Sequence, residues 1–375
     1  MNNGCCYGCG VCVVSCPKDV IGIKLSDEGF YVPAILNEDK CINCGLCQKV
    51  CAYLNSGLSR SPLNVKGFII YSKDEKVQRS CSSGGVGFEI AKLLIEKGYK
   101  ACGVKYSSVN ERAEHFVSDD IGGFEESKGS KYLQSYSVDA FKKLNGKDKW
   151  VVFGAPCQID SLVRWAKQRK VEDNFVFVDF FCHGVPSYHL WNNYLGFNKK
   201  KYGFNTIENV KFRDKRNGHG CNSWTMSFVS GGKEIASSML KDKDLFYRLF
   251  LSNECLNKAC YDECKYKGQN SSADIRIGDL WNKKYQESNN ALSAVFANTN
   301  QGRYIIDQLC DCCVVEKEDL CVVSEGQMTH KLKMSKIRAG VINDLSKGKS
   351  LKAIIFYIAV IHKLKQQIRK IFKGR

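Results

Sequence analysis

Two cysteine runs constrain this chain more than any other feature. Cys6-x2-Cys9-x2-Cys12-x3-Cys16-Pro17 is followed by Cys41-x2-Cys44-x2-Cys47-x3-Cys51. One motif occurs twice, an internal repeat, with Gly10 and Gly45 at matching places where the backbone must turn tightly. Thiolates two residues apart can wrap one corner of a cube, and the fourth cysteine of each run reaches across to the other centre. On that pattern Cys6, Cys9, Cys12 and Cys51 hold one 4Fe–4S cluster. Cys41, Cys44, Cys47 and Cys16 hold the second. Structural zinc would show paired Cys-x2-Cys knuckles rather than two four-cysteine runs. Cys5 reads as a spare thiol. The second run ends in Cys51-Ala52, without the proline that follows Cys16.

Residues 1–56 therefore resemble a bacterial-type two-cluster ferredoxin. The chain holds 21 cysteines in 375 residues, and its N-terminus shows no basic segment followed by an apolar one. That combination points to a reducing cytoplasm, where clustered thiols bind metal rather than one another. The net charge of +17 invites a nucleic-acid reading. Its distribution opposes one: residues 331–375 hold 13 Lys and Arg against a single acid, Asp344, leaving the rest nearly neutral.

Beyond a linker at 55–64, hydrophobic runs alternate with helical periodicity. KGFIIYS, YKACGVKY, EHFVS, KWVVF and NFVFVDF read as strands. The segments following Gly84, Ser137, Cys157 and Ser187 read as helices, the first of them closed by Gly98. Further strands are expected at NVKFRD, SWTMSFVS, ADIRIGDLW and LSAVFAN, some of them antiparallel. The fold class is α/β with a mixed sheet. Cys157 and Cys182 each end a strand and precede a helix, so parallel neighbours would bring both to one carboxyl edge, where ligands bind in such folds.

In order along the chain, CSSGGVGFEIAKLLIEKGY, GSKYLQS, FGAPCQIDSL, DFFCHGVPSYHLW, FRDKRNG and CKYKGQNSSADIRIGDLW resemble the beta-subunit family of coenzyme F420-reducing hydrogenases. The likeness spans roughly residues 65–310 and divides the body into regions 65–145 and 146–330 ahead of the 331–375 tail. It implies an iron–sulfur flavoprotein with a flavin-binding catalytic region. FAD would mediate between clusters and a hydride-accepting small molecule, a deazaflavin or another acceptor. Such chemistry needs a two-electron, one-electron interface. Ser82, Ser83, Gly84 and Gly85, opening a helix, are the candidate phosphate loop, with an ordinary capped helix start as the alternative. Lys131 and Gln158 are candidate cofactor contacts. His183 and Lys131 are the candidate catalytic groups, and Asp279 reads as a capping residue. Cys157, Cys182, Cys260 and Cys264 could hold a third 4Fe–4S cluster, although the last pair is spaced x3 where x2 is expected; Cys255 is the substitute. CDCC at 310–313 reads as ordinary thiols.

Two functions follow. One is a flavin-dependent oxidoreductase of the coenzyme F420 hydrogenase/dehydrogenase beta-subunit type, served by a ferredoxin- or hydrogenase-like redox partner. The other is a non-enzymatic electron-transfer subunit docked on a larger complex. The tail, with apolar residues at Ile354, Ile358, Ile361, Leu364, Ile368 and Ile371, reads as an amphipathic helix. It would touch a membrane surface or a partner, or pack on its own body.

Overall fold

A computed structural model describes residues 5–216, 218 and 223–373, with side chains described through residue 367. The cysteine repeat is visible as a structural repeat. Gly10 (φ 77°) caps a one-turn helix, Val11–Val14, and Gly45 (φ 70°) caps its counterpart, Leu46–Lys49. Both glycines adopt the left-handed conformation that a side chain disfavours. Between the two turns lies an antiparallel hairpin of β1 (Ile21–Leu25) and β2 (Tyr31–Ile35).

The body is built on one eight-stranded mixed sheet. In chain order its strands are β3 (Lys66–Ser72), β4 (Lys100–Ser107), β5 (Arg112–Ser118), β6 (Trp150–Phe153) and β7 (Phe175–Phe180). A separate antiparallel sheet follows, with β8 (Asn209–Lys211), β9 (Thr225–Ser230) and β10 (Lys233–Met239). The main sheet resumes with β11 (Ile275–Asp279), β12 (Ser293–Ala297) and β13 (Cys313–Glu318). Its spatial order is β13-β3-β12-β11-β7-β6-β4-β5. Strands from both halves of the body, 65–145 and 146–330, hydrogen-bond into it.

Strand alternation divides the core into two layers. Val151, Val176 and Val178 face the helix Val86–Glu96, while Trp150, Val152, Phe175 and Phe177 face the helix Pro156–Gln168. The ferredoxin-like segment docks on that second layer, because Cys9, Val11 and Val50 join the cluster of Ile159, Leu162 and Val163. Polar ties fix its orientation. Gln134 donates to Tyr7 O (3.0 Å) and accepts from Tyr31 N (2.7 Å), and Ser137 Oγ donates to Cys9 O (2.8 Å). Arg338 reaches from the tail to Glu28 (2.8 Å).

A second core, rich in aromatics, joins the helix Tyr188–Tyr202, the three-stranded sheet and the helix Leu245–Leu251. The tail helix Leu351–Lys373 packs its first turns there. Leu351, Ile354, Ile355 and Ile358 are buried, so the body claims the first half of the apolar stripe expected from the sequence. Ile361 is half-buried and Leu364 exposed; the side chains of Ile368 and Ile371 lie outside the described residues. The helix expected after Ser137 is one turn, Val138–Phe141.

Candidate redox site at the sheet edge

β6, β7 and β11 run parallel, and β12 is antiparallel to both β11 and β3. The carboxyl ends of β3, β6, β7 and β11 therefore share one edge. Cys157 sits there in the first turn of Pro156–Gln168, where proline needs no N–H partner. Cys182 lies two residues past the end of β7. Cys260 ends a 3-10 turn, Lys258–Cys260, and the Cys264 N–H donates to Tyr261 O (2.9 Å). That tight turn is what the x3 spacing accommodates. The loop is tied down by Asn257, which donates its N–H to Val185 O (3.0 Å) and Nδ2 to Cys6 O (3.1 Å). Lys267 Nζ donates to Cys182 O (2.8 Å). Cys255 belongs elsewhere, buried in the aromatic core with its thiol on Leu249 O (3.4 Å).

Three thiol groups result, recognisable by which sulfurs feel one another's charge. Burial pushes Cys6 up to about 12, reinforced by Cys9 and Cys51. It pushes Cys9 up to about 11, with Cys51 again adding. Cys12 is raised by burial, then by Cys9, Cys6 and Cys51. Cys47 is raised by burial and by Cys44 and Cys16, while Cys41 and Cys44 are exposed on the surface loop. Cys157 is held well above the usual thiol range by burial, then by Cys182, Cys9, Cys260 and Cys264; burial takes Cys260 to about 12. The groups also lie within range of one another's charge: Cys12 feels Cys47, and Cys157 feels Cys9.

Among the described residues no group of three or more His, Cys, Asp or Glu is arranged for a single ion. Thiolates on one zinc stand about 3.8 Å apart. A 4Fe–4S cube takes a wider set of four thiols, one for each iron corner. Tyr7 fills the gap between the first and third groups, packing edge-on against Tyr53 (5.4 Å) and Tyr266 (5.7 Å) beside Cys157 and Cys264.

The other candidates line the same edge. Gly85 (φ 88°) opens Val86–Glu96. Ser82 Oγ accepts from Ser130 N (2.7 Å), Ser83 Oγ meets Ser293 Oγ (3.0 Å), and the Gly84 N–H donates to Ser293 Oγ (2.9 Å). This anchors the loop against the start of β12. Lys131 Nζ donates to Glu126, Ser127 and Lys128 carbonyls (2.9, 2.9 and 3.0 Å), and burial presses it down to about 7. Lys215, which no sequence motif singled out, donates to Gln78 O and Ser83 O and is pressed by burial to about 8. Both ammonium groups lie near Cys81, at the head of the Ser82–Gly85 loop. Two buried cations beside a loop that opens a helix are the described groups here that would favour an anion.

Beside them Arg213 is clamped between rings. It bonds Asp279 (2.6 Å) and Tyr132 OH (3.0 Å) and lies over Trp224 (4.5 Å). Tyr132 stacks on Trp224 (5.4 Å, 9°), and Trp224 on Trp281 (6.4 Å, 21°). Asp279 is thus an ion-pair partner, not a cap: it ends β11 facing a guanidinium rather than a helix start. Gln158 acts as a cap, accepting from Ala155 N (2.9 Å) and donating to Ser135 Oγ (3.2 Å). His183 packs edge-on to Phe250 (4.9 Å), and burial lowers it to about 4.

Residues 147–321 match the sequence profile for the C terminus of the coenzyme F420 hydrogenase/dehydrogenase beta subunit, and residues 5–54 that of the 4Fe-4S dicluster domain. A coenzyme F420-dependent sulfite reductase of Methanocaldococcus jannaschii is 27% identical over 164 residues, covering 43% of this chain. The chain spans 25% of that protein's length. A chain from the F420-reducing [NiFe] hydrogenase complex of Methanosarcina barkeri superposes with TM-score 0.49 at 15% identity, covering 82% of this chain and 94% of the other.

Proposed function

We propose that the chain is an iron–sulfur flavoprotein oxidoreductase, reading together the match of residues 147–321 to the C terminus of coenzyme F420 hydrogenase/dehydrogenase beta subunits and that of residues 5–54 to the 4Fe-4S dicluster domain. The observation that carries the proposal is the contiguity of the three thiol groups. They run from a surface loop, through the docked module, to the carboxyl edge of the main sheet. When bound, FAD would supply hydride exchange with a substrate on one side and single-electron exchange with clusters on the other.

The residues would divide the work as follows. Cys16, Cys41, Cys44 and Cys47 hold the outer centre, open to a redox partner protein because Cys41 and Cys44 are exposed. Cys6, Cys9, Cys12 and Cys51 hold the middle centre, and Cys157, Cys182, Cys260 and Cys264 the inner one. The Ser82–Gly85 loop, Lys131 and Lys215 bind phosphate at the helix start. Tyr132, Trp224 and Trp281, held by Arg213, form an aromatic stack beside this loop, where a planar ring would extend it. Gln158 holds the Cys157 turn in place, and His183 lines the edge beside Cys182. A deazaflavin is the preferred hydride partner.

The test is anaerobic titration of the reconstituted protein with reduced coenzyme F420 while following cluster absorbance. Bleaching that requires FAD is expected. If neither reduced F420 nor NADPH bleaches the FAD-loaded protein, whereas a reduced ferredoxin does, the chain is an electron carrier and the enzymatic reading falls.

A further inference from the structure

The tail helix Leu351–Lys373 has two apolar faces, and the body covers one. Leu351, Ile354, Ile355 and Ile358 are buried in the aromatic core, and His362 Nε2 meets Glu254 Oε1 (3.0 Å) one turn on. At about 100° per residue, Phe356, Tyr357, Val360 and Leu364 fall on roughly the opposite side. Their exposures are 71%, 43%, 38% and 48%. Lys352, Lys363 and Lys365 are exposed along the same helix, and the sequence continues with Arg369, Lys370 and Lys373.

From this we propose that the outer face of the helix seats the protein on a membrane surface rich in anionic lipid, with the helix lying in the interface plane. Charge selects the occupant. A second copy would bring one cationic tail against another, whereas anionic headgroups neutralise it. Shape agrees, since an aromatic and aliphatic stripe on a single convex helix, with lysines beside it, suits the headgroup boundary. No described helix is long and apolar enough to cross a membrane, so the contact is a seat rather than a span. The body-facing turns fix the direction in which the stripe points, holding the whole redox body at one orientation to the bilayer.

Sedimentation of the full, cluster-loaded chain with vesicles of phosphatidylcholine, with or without phosphatidylglycerol, tests this. Binding is expected only with the anionic lipid. It should weaken about fivefold for each of Lys352→Gln and Lys363→Gln, which flank the outer stripe. The combined Phe356→Ser, Val360→Ser, Leu364→Ser variant should weaken it about tenfold or more. None of these side chains belongs to the buried face, so iron content should not change. Three results would overturn the proposal: undiminished binding by the triple variant, equal binding to neutral vesicles, or no vesicle binding together with a dimer that the triple variant dissociates.

Discussion

Replacing Arg276 with methionine should separate the inner thiol group from the rest of the molecule. Arg276 is fully buried on β11 and makes five hydrogen bonds. Two go to Asp179 on β7 (2.8 and 2.7 Å), and three to the carbonyls of Tyr266, Gly268 and Asn270 (3.2, 2.7 and 3.0 Å). Those carbonyls belong to the loop that leaves Cys264. Without the guanidinium, Asp179 keeps Ser271 Oγ (2.7 Å) as its side-chain donor and stands as a buried, poorly compensated charge. Breaking such a pair from one side costs about 3–5 kcal/mol. Adding Asp179→Leu should recover much of that, because removing both charges is far cheaper than removing one, with a coupling of about 2 kcal/mol or more. The loop carbonyls stay unclamped in both variants. Urea unfolding followed by circular dichroism, with iron counted per chain, reads both effects. The single variant should lose about four irons, and the double variant should regain stability without regaining iron. A single variant within about 1 kcal/mol of the parent and with full iron would refute the argument.

Serine replacements should sort the N-terminal cysteines by centre. Cys16→Ser and Cys47→Ser should abolish the same electron paramagnetic resonance signal, and Cys6→Ser and Cys51→Ser a second, distinct one. A shared loss between Cys16 and Cys6 alone would contradict the grouping. Lys131 and Lys215 are lowered by burial to about 7 and about 8. Affinity for FAD or inorganic phosphate, measured calorimetrically, should fall as pH rises through that range and the cations are lost. Stability of the ligand-free protein should move the other way: unfolded lysines bind more protons there, so it rises from about pH 7 towards the ordinary lysine value. Affinity flat across pH 6–9 would remove these lysines from the site. Gly8→Ala meets Gln134 Nε2 and Tyr31 O at φ 68° and should cost about 1–3 kcal/mol. It should also speed loss of the middle centre to a chelator, and parental kinetics would argue against Gln134 as the clamp.

What could be read in the sequence was what local pattern decides. β3, β6, β7 and β12 lie inside the sheet with both faces covered, so they announce themselves as unbroken apolar runs. The edge strand β13 carries Glu316, Lys317 and Glu318, and β10 alternates with polar residues; neither stands out. The N-terminal thiol groups are legible because most of their cysteines have only two or three residues between them. The inner group draws on three segments, and its x3 pair departs from the expected spacing because a 3-10 turn ends at Cys260. Lys215, Arg213, Tyr132, Trp224 and Trp281 converge only through the tertiary fold. The FRDKRNG and GSKYLQS blocks held three of the five, but nothing in one sequence says which residue of a block faces a ligand. In the tail the helical period was legible but its partner was not: of the membrane, partner and own-body alternatives, the body takes Ile354 and Ile358 for its own core.

Iron, sulfide and flavin counted together in the anaerobically purified full chain test the account most directly. Three clusters and one flavin site, as proposed, predict about twelve irons, a matching amount of sulfide and one FAD per chain. About eight irons with no flavin retained after reconstitution would leave a two-cluster carrier, and the catalytic account would be wrong.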